Sequence, residues 1–352
     1  MPPPDTSCVL INGKNGYSRE NTSWVLGRLV RDFDGWMDGQ VKAHLNEMRA
    51  RRIKILEDRY KKVLTPKEMP TVVSLCVSVY EAVDTPGSPK ADWVWWTGIA
   101  AGVIQLGVAA APCCIWGDWG IIMITAAGIL LCLTTGSLSQ WSREKWSGRR
   151  NSKKDAILTR GNGSQHAIII RRSGVRLDLE DLAAAGNNTE ISTSSVTTSA
   201  FIVLAALWIL LLITAAGLSA HNWFLLLIGG IGIIQNILVA GYRRHPNAVG
   251  LPLKFVRVFG NPEGVMHTLY EVEKENPSLG FYMKDTFFPS GIRENEKHAW
   301  RALNSKYFEN GPELIAASTP TPAARTLALP TPAGSAPAVP MLISRPTVPL
   351  SL

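Results

Sequence analysis

Cysteine is scarce in this chain, and its arrangement does not indicate a metal site or a disulfide framework. The five cysteines are odd in number and lack C-x-x-C spacing. The six histidines are scattered along the chain without the spacing of metal ligands. The sequence therefore predicts no metal and no cofactor. The cysteines are Cys8, Cys76, Cys113, Cys114 and Cys132.

Recognisable catalytic sequences are also missing. The chain contains no G-x-S-x-G, no H-E-x-x-H and no phosphate-binding loop of the G-x-x-x-x-G-K type. Its N-terminus lacks a basic stretch followed by an apolar run, so a cleaved signal peptide is not expected. The sequence therefore predicts a protein that is not an enzyme.

Charge is absent from four long stretches of the chain. The average composition, 46% hydrophobic and 18% charged, conceals this segregation. Each stretch approaches the roughly 20 residues that cross a bilayer as a helix. The sequence therefore predicts a mainly α protein with a four-helix transmembrane bundle, made of two hairpins. The predicted spans are Trp93–Cys114, Trp119–Leu138, Ala200–Leu218 and Trp223–Tyr242.

The fourth stretch contains three glycines that could also indicate a dinucleotide-binding loop. Such a loop needs G-x-G-x-x-G between a strand and a helix. Here Gly229, Gly230 and Gly232 lie inside one continuous apolar run, and Gln235 stands where the last glycine is required. A membrane span is therefore favoured, in which the glycines permit close helix contact or a local bend.

Aromatic and basic residues flank these stretches as they do at membrane surfaces. Tryptophans stand near the ends of the stretches, as expected for an interfacial belt. The turns Ile115–Asp118 and Ser219–Asn222 contain no Lys or Arg, whereas basic residues follow the second and fourth stretches. By the positive-inside rule, we expect the N-terminus, the central loop and the C-terminus in the cytoplasm, at a plasma membrane or an endomembrane.

The basic residues beside the spans are expected to lie at the membrane surface and to contact anionic lipid headgroups. For Arg243 and Arg244, orienting the spans is the favoured sole role. The longer cluster after the second span is also expected to hold the central loop against the membrane. These membrane-surface residues are Arg143, Lys145, Arg149, Arg150, Lys153, Lys154, Arg243 and Arg244.

Three strongly polar residues lie inside the spans, near the middle of the membrane. They are Gln105, Gln235 and Asn236. The favoured role is hydrogen bonding between helices, with Gln105 meeting Gln235 or Asn236. The alternative is a polar path for a substrate.

Composition divides the chain into six regions. The final one is rich in Pro and Ala and is predicted to be disordered. The regions are an N-terminal cytoplasmic helical region (1–91), a first transmembrane hairpin (92–138), a basic cytoplasmic loop with a β-hairpin (139–199), a second transmembrane hairpin (200–242), a C-terminal cytoplasmic region (243–310) and the tail (311–352).

The N-terminal region is expected to contain two helical segments. Periodicity predicts a helix from about Asp38 to Val63. Its basic face either lies on anionic lipid or is solvated while the helix docks on the cytoplasmic part, and acidic residues favour docking. The segment TVVSLCVSVYEAV, from Thr71, is too short to span. We expect it to be an interfacial or buried helix.

The other soluble regions are expected to form small α/β segments. AILTR and HAIIIRR flank GNGSQ, which predicts a β-hairpin over Ala156–Arg172. DLEDLAAA predicts a short helix capped by Asp178. LKFVRVFG predicts a strand, Asn261-Pro262-Glu263 predicts a helix start, and a further helix is expected from about Ile292 to Phe308.

The chain resembles a group of uncharacterised integral membrane proteins of filamentous fungi. The resemblance rests on TPKEMPTVVSLCVSVYEAVDTPG, LTRGNGSQHAIIIRR, LEDLAAA, the third span and NWFLLLIGGIGIIQN, and it covers roughly residues 20–310. It implies a membrane location with cytoplasmic loops, and it brings no catalytic residues.

Two classes of function remain open. A non-enzymatic membrane scaffold or interaction protein, with the lipid bilayer and unidentified proteins as partners, is favoured because the spans lack charged residues. A small oligomeric transporter or channel-like protein is the alternative, and a homo-oligomer is possible in either class. Nucleic acid is not expected as a partner, because the basic clusters lie close to the ends of the spans.

Overall fold

The structure is a computed structural model, and several expectations lie outside the part of the chain that it describes. These expectations include Arg150, Lys153, the last residue of the expected β-hairpin, Arg172, and the tail from residue 311. The described residues are 3–70, 72–83, 89–149, 152, 154–171, 177–184 and 195–308.

Short strands and helices occur in three groups along the chain, and the long apolar helices separate these groups. In chain order the elements are β1 (Val9–Asn12), β2 (Ser18–Glu20), α1 (Trp24–Arg31), α2 (Phe33–Trp36), α3 (Gly39–Tyr60), β3 (Cys76–Ala82), α4 (Trp93–Trp116), α5 (Gly120–Gly136), α6 (Ser139–Lys145), β4 (Ala156–Thr159), β5 (His166–Arg171), α7 (Leu179–Ala183), α8 (Ser195–Ala216), α9 (Trp223–Gly241), α10 (Pro246–Val249), β6 (Leu253–Gly260), α11 (Val265–Glu275), α12 (Leu279–Phe287) and α13 (Glu294–Phe308).

Three helices are long and apolar enough to cross a membrane, namely α4, α8 and α9. A fourth candidate consists of α5 and α6, which meet at a bend of 42°. Local signals set the ends of α4. Asp92 caps its first turn by accepting a hydrogen bond from the backbone N–H of Trp95 at 2.9 Å. Gly117 ends it in the left-handed region, at φ 71°, which glycine adopts without steric cost.

The soluble regions do not form separate small segments, because they share one sheet of six strands. The strand order is β2-β1-β4-β5-β3-β6. The first region supplies β1, β2 and β3, the central loop supplies β4 and β5, and the C-terminal region supplies β6. The inner strand β3 pairs parallel with β5 and antiparallel with the edge strand β6. Three chain regions that are separated by apolar hairpins therefore fold as one sheet domain.

The expected helix at TVVSLCVSVYEAV was wrong, because this segment contains the inner strand β3. Val77 and Val79 pack into the core on one face of the sheet, and Tyr80 and Ala82 pack into the core on the other. A strand that is covered on both faces has a nearly continuous apolar sequence. Such a run cannot be distinguished from a buried helix by periodicity alone.

Several expectations from local sequence are confirmed. The hairpin has β4 antiparallel to β5, and Gly161 and Gly163 take positive φ in its loop. Asp178 caps α7 by accepting from the backbone N–H of Glu180 at 2.9 Å. The helix expected from Asp38 is α3, and LKFVRVFG is β6.

Other local expectations need correction. The helix expected at Asn261 begins at Val265, because the Asn261 side chain holds a turn by accepting from the backbone N–H of Glu263 at 2.9 Å. The last helix begins at Glu294 rather than Ile292. The short elements β1, β2, α1, α2, α6, α10 and α12 were not anticipated from the sequence.

The sheet carries an apolar core on each face, and α3 docks beside it. One core includes residues of α1, α2 and α7, and the other includes residues of α11, α12 and α13. Val41 and Met48 of α3 are buried. His44 Nε2 lies 3.1 Å from the carbonyl oxygen of Gly260, at the end of β6. Of the two roles considered for this basic helix, the structure therefore shows the docked one.

Candidate functional site

The last turn of α9 is bound by two arginines of the sheet domain. Arg28 Nη2 donates to the carbonyl oxygens of Val239 and Tyr242, each at 3.0 Å. Arg31 Nη2 donates to the carbonyl oxygen of Ala240 at 3.0 Å. The last carbonyls of a helix lack partners within the helix and carry partial negative charge. Both arginines therefore donate the hydrogen bonds that the last carbonyl groups of this apolar helix cannot receive from within it.

A buried carboxylate holds these arginines in place. Asp32 is 1% exposed and Arg28 is 5% exposed. Asp32 accepts from Arg28 Nε at 3.0 Å, from Arg31 Nε at 2.9 Å and from the backbone N–H of Arg244 at 3.1 Å. Asp5 is a second acceptor for both guanidinium groups. A buried charge is costly unless it is paired and hydrogen-bonded, so Asp32 and Arg28 depend on these contacts. The bond from the backbone of Arg244 thereby links the end of α1 to the segment that follows α9.

The beginning of the first apolar helix is joined to the end of the last one. Arg244 Nε and Nη2 donate to the two carboxylate oxygens of Asp92, each at 2.7 Å. Such bidentate pairs are among the stronger charge-assisted contacts. Burial raises the pKa of Asp92, but the bonds from Arg244 and from the backbone N–H of Trp95 outweigh it and hold the pKa below its usual range. We call this arginine–carboxylate network, formed by Asp5, Arg28, Arg31, Asp32, Asp92 and Arg244, the junction.

Sequence reasoning found only one member of the junction, Arg244, and expected it at the lipid headgroups. The signal that could have found more was the position of Asp92, one residue before an apolar helix. A charged carboxylate at the start of an apolar helix needs a cation close to it, and Arg244, which follows α9, supplies that cation. The pair of Arg28 on α1 and Asp32 directly after it, four residues apart, was a weaker signal because such spacing is common on solvated helices.

Three of the other basic residues beside the spans have partners within the protein. Lys145 Nζ donates to the carbonyl oxygen of Val249 at 3.0 Å. Arg149 binds Asp181, with Nε to Oδ2 at 2.6 Å. Lys154 Nζ lies 3.2 Å from Asp178 and 2.9 Å from Glu180. The acidic residues of α7 thus bind two of these cations. Arg143 and Arg243 are exposed, and Arg150 and Lys153 lie outside the described residues.

Two of the three polar residues of the predicted spans join α4 to α9. Gln105 Nε2 donates to the carbonyl oxygen of Ile228 at 3.0 Å, and Gln235 Nε2 donates to Thr97 Oγ1 at 3.0 Å. The expected contact of Gln105 with Gln235 or Asn236 was wrong. The helices are antiparallel, so Gln105 lies opposite Ile228, seven residues and roughly 10 Å along the axis from Gln235. Asn236 is exposed on the surface of α9.

Glycines make room for these amides, a role that the sequence did not reveal. A methyl group added at Gly232 would lie 3.3 Å from Gln105 Nε2. One added at Gly98 would lie 3.7 Å from Gln235 Nε2. The close approach at Gly232 explains part of the glycine content of the fourth apolar stretch.

The turns at the opposite end of the apolar helices also meet. His221 Nδ1 lies 3.2 Å from Asp118 Oδ2, and the His221 ring stacks on Trp116 with ring centroids 4.4 Å apart. The backbone N–H of Gly120, followed by His221, lowers the pKa of Asp118. The two hairpins are therefore linked at both ends, by the junction and by this contact.

The sheet domain contains a cavity of about 390 Å³ between α1, α2 and the loop of the β-hairpin. Its polar lining includes Asp34, Arg160, Ser164 and His166. His166 Nε2 lies 3.7 Å from Asp34, and burial lowers the pKa of His166. The Ser164 hydroxyl donates to the carbonyl oxygen of His166 at 3.0 Å, which gives it a structural role in the loop. Across the described residues, no group of three or more His, Cys, Asp or Glu could hold a metal ion.

Comparison with known proteins adds no assignment: no family model, no curated protein and no solved structure matches this chain. The resemblance to fungal membrane proteins stays a prediction. The junction is the most highly organised polar site in the described part of the chain.

Proposed function

We propose that this chain is a multi-pass integral membrane protein, in which a four-helix transmembrane bundle presents one sheet domain on the cytoplasmic side. It works as a non-enzymatic scaffold or interaction protein. The observation that carries this proposal is the assembly of the sheet from regions on both sides of each apolar hairpin.

Strand pairing supports an even number of crossings in each hairpin. β3 precedes the first hairpin and pairs with β5, which follows it. β3 also pairs with β6, which follows the second hairpin. Strands can pair only if they lie on the same side of the membrane. The first hairpin therefore needs a second span besides α4, and α5, the apolar member of the bent pair, supplies it, which together with α8 and α9 makes four.

The junction supports a scaffold role. It joins α1 to the end of α9 and the end of α9 to the start of α4, so the sheet domain has a fixed position at the membrane surface. The alternative role in transport has less support. Gln105 and Gln235 use an amide donor each in contacts between α4 and α9, and the spans contain no charged residue that could carry an ion or proton.

Topology reporters test the membrane arrangement. A reporter at the N-terminus, after Ser152 or after Gly311 should be cytoplasmic, and one inserted within Ile115–Asp118 should lie on the opposite side. Native Asn162 gives an internal check, because it is exposed and belongs to the acceptor sequence Asn-Gly-Ser. A glycan on Asn162 would place the sheet domain on the wrong side and would refute the arrangement.

Proximity labelling at native expression level, combined with flux measurements, tests the scaffold role. We expect a proximity label on the sheet domain to mark partner proteins. This labelling should be lost in the variants Asp32→Ala and Arg244→Ala, because they release the domain from the helices. Arg51→Ala, in an exposed pair with Glu47, is the control. Solute or ion flux in vesicles that contain only this protein would favour the transport alternative instead.

A further inference from the structure

The outer face of α9 carries an amide without a partner. Asn236 is exposed, and its side chain forms no hydrogen bond with the described residues. Gly229 is exposed on the same face, with open space beside its Cα. Gly229, Ile233, Asn236 and Ala240 follow each other at spacings of four, three and four residues, so they form one stripe along the helix. No residue of α9 is buried in the protein.

An unpaired amide on this face is costly if α9 spans the membrane, as the proposed function requires. Hydrocarbon contains no water to bond the carboxamide, so its donors and acceptor remain unsatisfied. Asn236 stands five residues before the end of α9, roughly 7.5 Å inside the span and therefore nearer that end than the middle of the membrane that the sequence suggested. Gln105 and Gln235, the comparable amides, both have partners on the opposite helix.

We propose that this stripe is the interface of a parallel homodimer, in which Asn236 bonds Asn236 of a second copy. A second copy inserts with the same orientation, so its Asn236 lies at the same depth. A carboxamide has both donor and acceptor atoms, so two of them related by a two-fold axis satisfy each other. Gly229, two turns away, allows the two backbones to approach closely. This inference rests on the proposed function, because the cost arises only in a bilayer.

Oligomeric state in a bilayer tests the dimer. The full chain is labelled, reconstituted at a series of protein-to-lipid ratios and counted by single-molecule photobleaching. We expect dimers for the native chain, and for Asn236→Leu a weakening of the dimer by roughly 3- to 30-fold, the range for hydrogen bonds between membrane helices. Gly229→Ile should also weaken it, by preventing close approach. Ile234→Ala is the control, because Ile234 is 61% exposed but lies outside the stripe.

Disulfide trapping tests the face directly. In a background with Cys113, Cys114 and Cys132 replaced by serine, Asn236→Cys should form a cross-linked dimer, whereas Ile234→Cys should not. A native chain that is monomeric at every ratio, or equal cross-linking at both positions, would overturn the dimer. Resistance of the protein to alkaline carbonate extraction is measured in parallel. Loss of that resistance would refute the membrane arrangement itself, so failure of the dimer and failure of the proposed function are distinguishable.

Discussion

In the sheet domain, apolar side chains are covered by protein, and Ile157, Leu158 and Ile169 are 0% exposed. In α8 and α9, equally apolar side chains face outward, and Leu212 and Ile237 are 66% and 65% exposed. Water cannot cover such surfaces without a large free-energy cost, whereas lipid can. The two regions therefore follow opposite burial rules within one chain. The junction lies where these two regions meet, and its charged residues are paired with each other.

The junction should give the largest effect on stability. Replacing Asp32 by alanine removes the buried carboxylate of Arg28 and leaves only the partly exposed Asp5 as its counter-charge. We expect the free energy of unfolding of the detergent-solubilised protein to fall by about 3–5 kcal/mol, the usual cost of breaking a buried pair. Chemical denaturation followed by tryptophan fluorescence measures it. Glu47→Ala, in an exposed pair with Arg51, should cost less than about 1 kcal/mol. If the two variants were equally stable, the junction would not be a buried network.

Leucine truncation compares the two burial rules directly. Leu158→Ala in the sheet should lower the free energy of unfolding by about 2–5 kcal/mol, because a cavity remains in a packed core. Leu212→Ala on α8 should change it by less than about 0.5 kcal/mol, because that side chain packs against detergent rather than protein. The same denaturation measurement serves both variants. A large loss for Leu212→Ala would indicate that α8 is covered by protein rather than by lipid.

The smallest effect is expected within the helices. Gln105→Leu and Gln235→Leu should each lower detergent stability by about 0.5–2 kcal/mol, because each removes one bond between α4 and α9. Since the two amides bond different groups at different depths, their effects should add within about 0.5 kcal/mol. Asn236→Leu, measured on detergent-isolated monomers, is the control and should have no such cost. A strongly non-additive double variant would contradict the separate bonds and restore direct contact between the amides.

Features that depend on neighbouring residues were readable from the sequence. The apolar helices follow from length and absence of charge, and the β-hairpin follows from glycines between two apolar runs. The helix from about Asp38 follows from its periodicity, and Asp178 was recognisable as a helix start because a cap acts on the N–H groups of the next residues. At the candidate site the sequence indicated Arg244 and the polar character of Gln105 and Gln235. It did not indicate their partners, since Asp92 lies 152 residues from Arg244 and Ile228 lies 123 residues from Gln105.

The sequence by itself determined where lipid-compatible helices occur, because a run of about 20 uncharged residues satisfies its own backbone as a helix whatever surrounds it. Tertiary structure decided the rest. Cys76–Ala82 became an inner strand because β5 and β6, from distant regions, pair with its two edges. Asp32 and Arg28 became a buried pair because α9 ends beside them. Strand pairing and charge burial depend on what the folded chain brings together, and that information is not present in any short stretch of sequence.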